Sequence, residues 1–339
     1  MRILVTGSAG FIGGYLVEEL LTAGHTVVGI DNYEKYGKVV KSYDSHPNYH
    51  FTEGDVRDTL LMQKLIEGCD HLVAGAAKIG GISYFHEFAY DLIAANERII
   101  ASTFDAALGA FKKGTLKKIT VLSSSMVYES ANIFPTPETV VREIPPPKST
   151  YGFQKLACEY FAQGAHEQYG LPFTIVRPFN CVGVGEKRAL TDKEVLSGNI
   201  KLAMSHVVPD LVQKVLKGQD PLRILGAGNQ IRCYTYGGDL ARGIRLCIER
   251  EEALNQDINL STDEATDVLT LAKLIWNKIR PEKQFRYTSD EAYTYDVQKR
   301  IPSTEKAKRL LGFEATTPLS QILDEVIPWV KKEIETGGI

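Results

Sequence analysis

At 339 residues the chain exceeds what one hydrophobic core fills, since cores stop growing near about 250–300 residues, so two lobes are expected. Its 44% hydrophobic and 24% charged residues describe an ordinary globular protein and exclude disordered, collagen-like and coiled-coil classes. Lys+Arg 39 against Asp+Glu 42 leave a net charge of -3, without the basic excess that a dedicated nucleic-acid binder needs against phosphates.

The run Arg2–Val5 predicts a strand that begins at once, with no charged leader or cleavage site before it. Phe11–Ala23 has helical apolar spacing, and Thr26–Ile30 reads as the second strand. A further strand ends at Gly54-Asp55-Val56, and Asp70–Ala74 and Lys118–Leu122 predict two more. Helical stretches over Leu92–Phe111 and Leu156–Tyr169 alternate with them, and Phe173–Val176 closes the series. Apolar strands separated by helices have both faces covered, which predicts a doubly wound parallel α/β sheet.

Five prolines between Phe134 and Lys148 predict an ordered surface loop rather than a helix. Beyond Arg177-Pro178 the pattern turns irregular: a long polar loop over Gly183–Asn199, a helix near Pro209–Lys217, then helices mixed with short strands. The expected division is a nucleotide-binding lobe over 1–178 and a smaller mixed α/β substrate lobe over 179–339, with the chain crossing back near 230–245. No run approaches the ~20 apolar residues of a membrane span. Cys69, Cys158, Cys181, Cys233 and Cys247 lack Cys-x-x-Cys spacing, so neither a metal site nor a disulfide framework is expected, and the cytoplasm is the natural compartment. Cys158 and Cys181 are expected in the core.

Between the first strand and the first helix stands Gly7-Ser8-Ala9-Gly10-Phe11-Ile12-Gly13. Small residues there let backbone approach a pyrophosphate lying on the positive helix N-terminus, although a tight turn alone also asks for glycines. Asp31 closes the second strand, where a carboxylate accepts from adenosine ribose hydroxyls and repels a 2′-phosphate, which favours NAD. Asp55 is placed to accept from the adenine amino group. Further along, Tyr151 and Lys155 lie four apart on a helical pattern and share one face. The Lys155 ammonium favours the ionised phenol, giving a base usable near neutral pH. The strand end Leu122-Ser123-Ser124-Ser125-Met126-Val127-Tyr128 offers a serine hydroxyl at the carboxyl edge of the sheet, where ligands bind. Taken singly, these are also a surface Tyr–Lys pair and a serine-rich turn.

Together these motifs, with Arg177-Pro178-Phe179-Asn180, Ser205-His206-Val207-Val208-Pro209 and Arg232-Cys233-Tyr234, resemble the extended short-chain dehydrogenase/reductase family of NAD-dependent nucleotide-sugar epimerases and dehydratases. The resemblance implies a Rossmann sheet, bound NAD, a nucleoside-diphosphate sugar as substrate and a homodimer built on the helices over Leu92–Phe111 and Leu156–Tyr169. It implies Tyr151, Lys155 and Ser124 as the hydride-transfer triad. Gly7, Ala9, Gly10, Phe11, Ile12, Gly13, Asp31, Asn32, Asp55, Val56, Ala74, Ala76 and Lys78 would join Tyr151 and Lys155 around the cofactor, Lys78 at the nicotinamide ribose. Ser125, Met126, Asn180, His206, Val207, Lys214 and Arg232 would face the substrate, with Asn180, Lys214 and Arg232 at its diphosphate. Glu129, where the family often has Gly, reads as a solvated loop carboxylate or a substrate contact, the former being favoured.

Related 4,6-dehydratases, decarboxylases and 3,5-epimerases carry a proton-transferring residue where this chain has Met126. A thioether neither takes nor gives a proton. The chemistry that needs no extra base is oxidation at C4, rotation of the 4-keto sugar and return of the hydride, which is 4-epimerisation. Ala76–Ile82 and Ser205–Pro209 resemble GDP-fucose synthases and GDP-mannose 3,5-epimerases, which keeps open a base elsewhere, His206 first. Dehydration, 3,5-epimerisation and 4-keto reduction are therefore the enzymatic alternatives, and a dinucleotide-sensing regulator the non-enzymatic one.

Overall fold

The computed structural model describes residues 1–79, 88–187, 195–197, 200–202, 206–291 and 297–338. Gly80, Gly81 and Ile82 of the first fucose-synthase-like segment, Ser205 of the second and much of the loop over 183–199 lie outside them.

Seven parallel strands form the main sheet: β1 (Arg2–Thr6), β2 (Thr26–Asp31), β3 (Tyr49–Glu53), β4 (His71–Ala74), β5 (Lys118–Leu122), β6 (Phe173–Pro178) and β7 (Gln256–Leu260). Their spatial order is β7-β6-β5-β4-β1-β2-β3. The chain runs outward from β1 to β3, then reverses from β4 to β7, so the loops leaving β1 and β4 diverge and open a crevice at the carboxyl edge.

Alternate side chains of each strand feed opposite cores. Leu4, Val28, Leu72 and Ile119 pack with α2 (Thr59–Leu65), α3 (Ala89–Lys112) and α4 (Thr150–Tyr169) through Met62, Phe104 and Cys158. Ile3, Val5, Val27 and Val73 pack on the other face with Leu16 and Leu20 of α1 (Phe11–Thr22). Ser149 starts α4 by accepting from the Gly152 amide, and left-handed Gly170 (φ 76°) ends it.

After β6 the chain builds a second lobe around α5 (Val207–Leu216), whose core joins Val212, Leu271, Trp276 and Ile322. It then returns: α6 (Gly237–Glu249) puts Leu240 and Ile244 into the core beneath α1, and β7 extends the sheet beside β6. Next, α7 (Val268–Ile279) and α9 (Leu319–Glu335) pack in the second lobe, while α8 (Glu305–Leu311) sends Leu311 into the core beneath α1. Two local features differ from the sequence reading. The proline-rich loop contains a 3-10 turn at Glu138–Arg142, possible because Pro137 only precedes it and buried Val140 anchors it. Within the expected polar loop, Val195–Ser197 and Ile200–Leu202 pair as antiparallel strands.

Candidate active site

The crevice is a cleft of about 1340 Å³, larger than the ~300–1,000 Å³ of ordinary single-ligand pockets and open to both lobes. Its floor at one end is the loop between β1 and α1. Gly7 takes φ +75°, and its position lies 3.0 Å from the backbone of Ala76 for any added Cβ. The first turn of α1 has no side-chain cap and no acidic residue, so its orphan amide donors and positive end face the cleft. An uncapped, glycine-lined helix terminus is a cradle for phosphate, and the NAD expected from the sequence fits it.

Ala9, Gly10, Phe11, Ile12 and Gly13 line this end, as do Asn32 and Val56. Asp31 accepts from the Ala9 amide at 3.1 Å and the Tyr33 amide at 2.8 Å. Its burial raises the carboxyl pKa against the pull of these bonds. Asp55 also lines the cleft, but Arg57 grips both its oxygens and lowers its pKa to about 2. Lys78 also lines the cleft, where its amine pairs with Glu34 at 2.8 Å. Ala74, expected beside the cofactor, packs instead in the core with Leu72, which precedes it on the same face of β4, and Gly75 takes the lining place.

At the middle of the cleft, β5 and α4 bring Ser124, Ser125, Met126, Tyr151 and Lys155 onto one wall. Tyr151 and Lys155 are each 7% exposed, and the Lys155 amine donates to the Leu122 carbonyl at 2.9 Å. The Ser124 hydroxyl accepts from the Met126 amide at 3.2 Å, capping the 3-10 turn Ser125–Tyr128. Met126 packs on Tyr151 and Leu92, with Ile79 and Phe88 against them. A Cβ on Gly152 would meet the Met126 carbonyl at 2.8 Å, so this glycine sets how closely α4 approaches the turn. Glu129 departs from the sequence reading. Its carboxylate accepts from the Ser149 amide at 2.9 Å and hydroxyl at 3.0 Å, holding the start of α4 rather than standing in solvent.

The second lobe closes the far end. Asn180, His206, Val207, Lys214 and Arg232 all line the cleft. The Lys214 amine is internally committed, to the Arg223 carbonyl and to Asp210, both at 3.1 Å. The imidazole of His206 pairs through Nδ1 with the carboxylate of Glu186, which also lines the cleft. Cys181 is half-buried: it packs against the core beneath α1 and also lines the cleft, on a two-residue strand beside Thr235. No sequence motif marks Arg300. It stands in register beside Arg232 on a neighbouring parallel strand and lines the same cleft.

A family model described as NAD dependent epimerase/dehydratase family matches residues 3–261. The chain is 25% identical over 337 residues to UDP-glucuronic acid decarboxylase 1 of Danio rerio, covering 98% of this chain and 73% of that one. It is 27% identical over 343 residues to an uncharacterized UDP-glucose epimerase of Bacillus subtilis, covering 97% and 98%. Among solved structures, UDP-glucose 4-epimerase of Thermotoga maritima with UDP-glucose superposes with a TM-score of 0.81 at 28% identity, over 98% of this chain and 100% of that one. These relatives are UDP-sugar enzymes, so the likeness to GDP-fucose synthases gains no support from them. The doubly wound sheet and the NAD-dependent nucleotide-sugar chemistry expected from the motifs stand confirmed at this level. With a match over most of its length, this chain belongs to the NAD dependent epimerase/dehydratase family.

Proposed function

We propose that the protein is a nucleoside-diphosphate-sugar 4-epimerase. One observation carries the choice within the family: at position 126, where the related dehydratases, decarboxylases and 3,5-epimerases carry a proton-transferring residue, the Met126 thioether packs against the Tyr151 ring together with Leu92, Ile79 and Phe88. Tyr151 takes the proton from the sugar C4 hydroxyl and returns it. Lys155 stabilises the phenolate and would hold the nicotinamide ribose, and Ser124 orients the hydroxyl. Bound NAD supplies a hydride acceptor and donor. The uncapped first turn of α1 would hold its pyrophosphate, and the Asp31 carboxylate at the cleft its adenosine ribose. Burial of the wall excludes water from the reacting carbon and positions it, which is where rate is gained.

Arg232 and Arg300, side by side on adjacent strands, grip the substrate diphosphate, with Asn180 and the N-terminus of α5 beside them. Lys214 acts there through a charge already balanced by Asp210. The relatives favour UDP as the nucleotide. Nucleic acid has no place in this reading. All five cysteines are free, which suits a reducing cytoplasm, and no helix among the described residues is long and apolar enough to cross a membrane.

Proton NMR with UDP-, GDP-, CDP- and dTDP-sugars in deuterated water tests the reaction. Inversion at C4 with no carbon-bound deuterium is the expected result. Deuterium at C3 or C5 would mean enolisation, with the His206–Glu186 pair the first place to seek its base. No turnover of any sugar would leave the regulator reading.

We also propose a homodimer through α3 and α4. Phe153, Tyr160 and Tyr169 are 47%, 66% and 40% exposed and line an apolar groove with Phe104 and Leu108. An exposed apolar groove of this kind marks an interface. Light scattering should find a dimer that Tyr160→Glu converts to monomer, and a monomeric unmodified protein would refute it.

A further inference from the structure

We propose that Glu159 is a positioning residue which, through Ser123, fixes Ser124 against Tyr151 and Lys155; this rests on the reading of the site given above. Tyr151, Lys155 and Glu159 recur every four residues on α4 and form one buried stripe. The first two reach the cleft. Glu159, 1% exposed, does not line it, and turns to the sheet instead.

Successive turns of the helix thereby grip successive residues of the strand end. Lys155 holds the Leu122 carbonyl, and Glu159 accepts from the Ser123 hydroxyl at 2.6 Å, a short charge-assisted bond one residue before Ser124. The carboxylate cannot swivel, because Arg177 clamps both its oxygens at 2.8 and 2.7 Å. The same guanidinium donates to the Tyr128 hydroxyl at 2.5 Å, at the far end of the turn that Ser124 begins. Tyr128 in turn donates to Asn259 of β7 at 2.9 Å, and Asp257 of β7 pairs with Arg177 at 2.9 Å. Ser124 is thus bracketed: the residue before it and the residue closing its turn are both tied to one buried ion pair. Such pairs are expensive to bury and often replaceable by apolar residues without loss of stability. Their use here is geometric.

Ser123→Ala removes the link and leaves the Glu159–Arg177 pair intact. Amide hydrogen exchange of the NAD-bound protein should accelerate about tenfold at Ser124–Glu129 and remain unchanged in β1, β4 and β6. On a turned-over sugar nucleotide kcat should fall about 10–100-fold, the scale of a displaced catalytic group, with KM and NAD affinity held within about twofold. Glu159→Gln should lower kcat similarly, and the double variant no further, since the two act as one unit. Exchange and kcat equal to those of the unmodified protein would overturn the proposal. So would faster exchange spread evenly through the sheet, the mark of a merely structural role. If no sugar nucleotide is turned over, the proposed reaction fails and the exchange pattern alone decides this inference.

Discussion

Replacing Tyr151 by Phe should leave a folded, NAD-binding protein whose kcat on its sugar nucleotide falls about 10²–10⁴-fold, the usual share of general acid/base catalysis. The ring is the part that packs. It fills the space between Met126 and Leu92 at 7% exposure, and Phe keeps that ring. The phenol oxygen is the part that reacts, and the side chains packed on the ring cannot stand in for it: Met126 is a thioether and Leu92 a hydrocarbon. Steady-state kinetics beside NAD titration and thermal melting separate the two. Near-normal kcat would remove Tyr151 as the acid/base and with it the proposed mechanism. A collapse of NAD affinity together with kcat would instead assign the residue to cofactor binding.

The parts of this site that were legible in the sequence are those whose geometry is local. Tyr151 and Lys155 share a face because helices have a fixed period, and the glycines of residues 7–13 sit in a turn whose shape only small residues permit. Strands β1, β2, β4, β5 and β6 were readable because burial on both faces makes them continuously apolar. What escaped are roles created by distant segments meeting. Arg300 becomes a partner of Arg232 only through strand register across 68 residues of chain, and Glu129 becomes a clamp only because α4 begins beside it. Glu159 was hidden differently. A carboxylate on a helix ordinarily reads as a solvated face, and nothing before the fold shows Arg177 waiting beneath it. The same limit applied to Asp55 and Lys78, whose positions were anticipated while the side chains that hold them, Arg57 and Glu34, were not.

The second large effect is expected at Gly13, and the argument there is steric rather than chemical. A Cβ at this position would stand 2.0 Å from the Gly7 carbonyl oxygen, 2.9 Å from its carbon and 3.1 Å from Ser8 Cα. All three are backbone atoms of the loop itself, so no side chain can swing aside to make room. Relief requires the first turn of α1 to move off the end of β1. That movement carries away the amide donors that would face a pyrophosphate, and it opens the core where Leu16 and Leu20 pack beneath the sheet. Gly13→Ala should therefore cost NAD affinity at least about 100-fold, and it should also lower stability by the ~1–3 kcal/mol of an overpacked core. Gly10→Ala is the internal comparison. Its Cβ would meet only the Gly7 oxygen, at 3.1 Å, a contact that a few tenths of an ångström relieve. Isothermal titration with NAD on both variants gives the ordering. Affinity lost at Gly13 and largely kept at Gly10 places the cofactor on this helix terminus by a route independent of any sugar, whereas tight NAD binding by Gly13→Ala would mean that the dinucleotide does not depend on the close approach of α1 to β1.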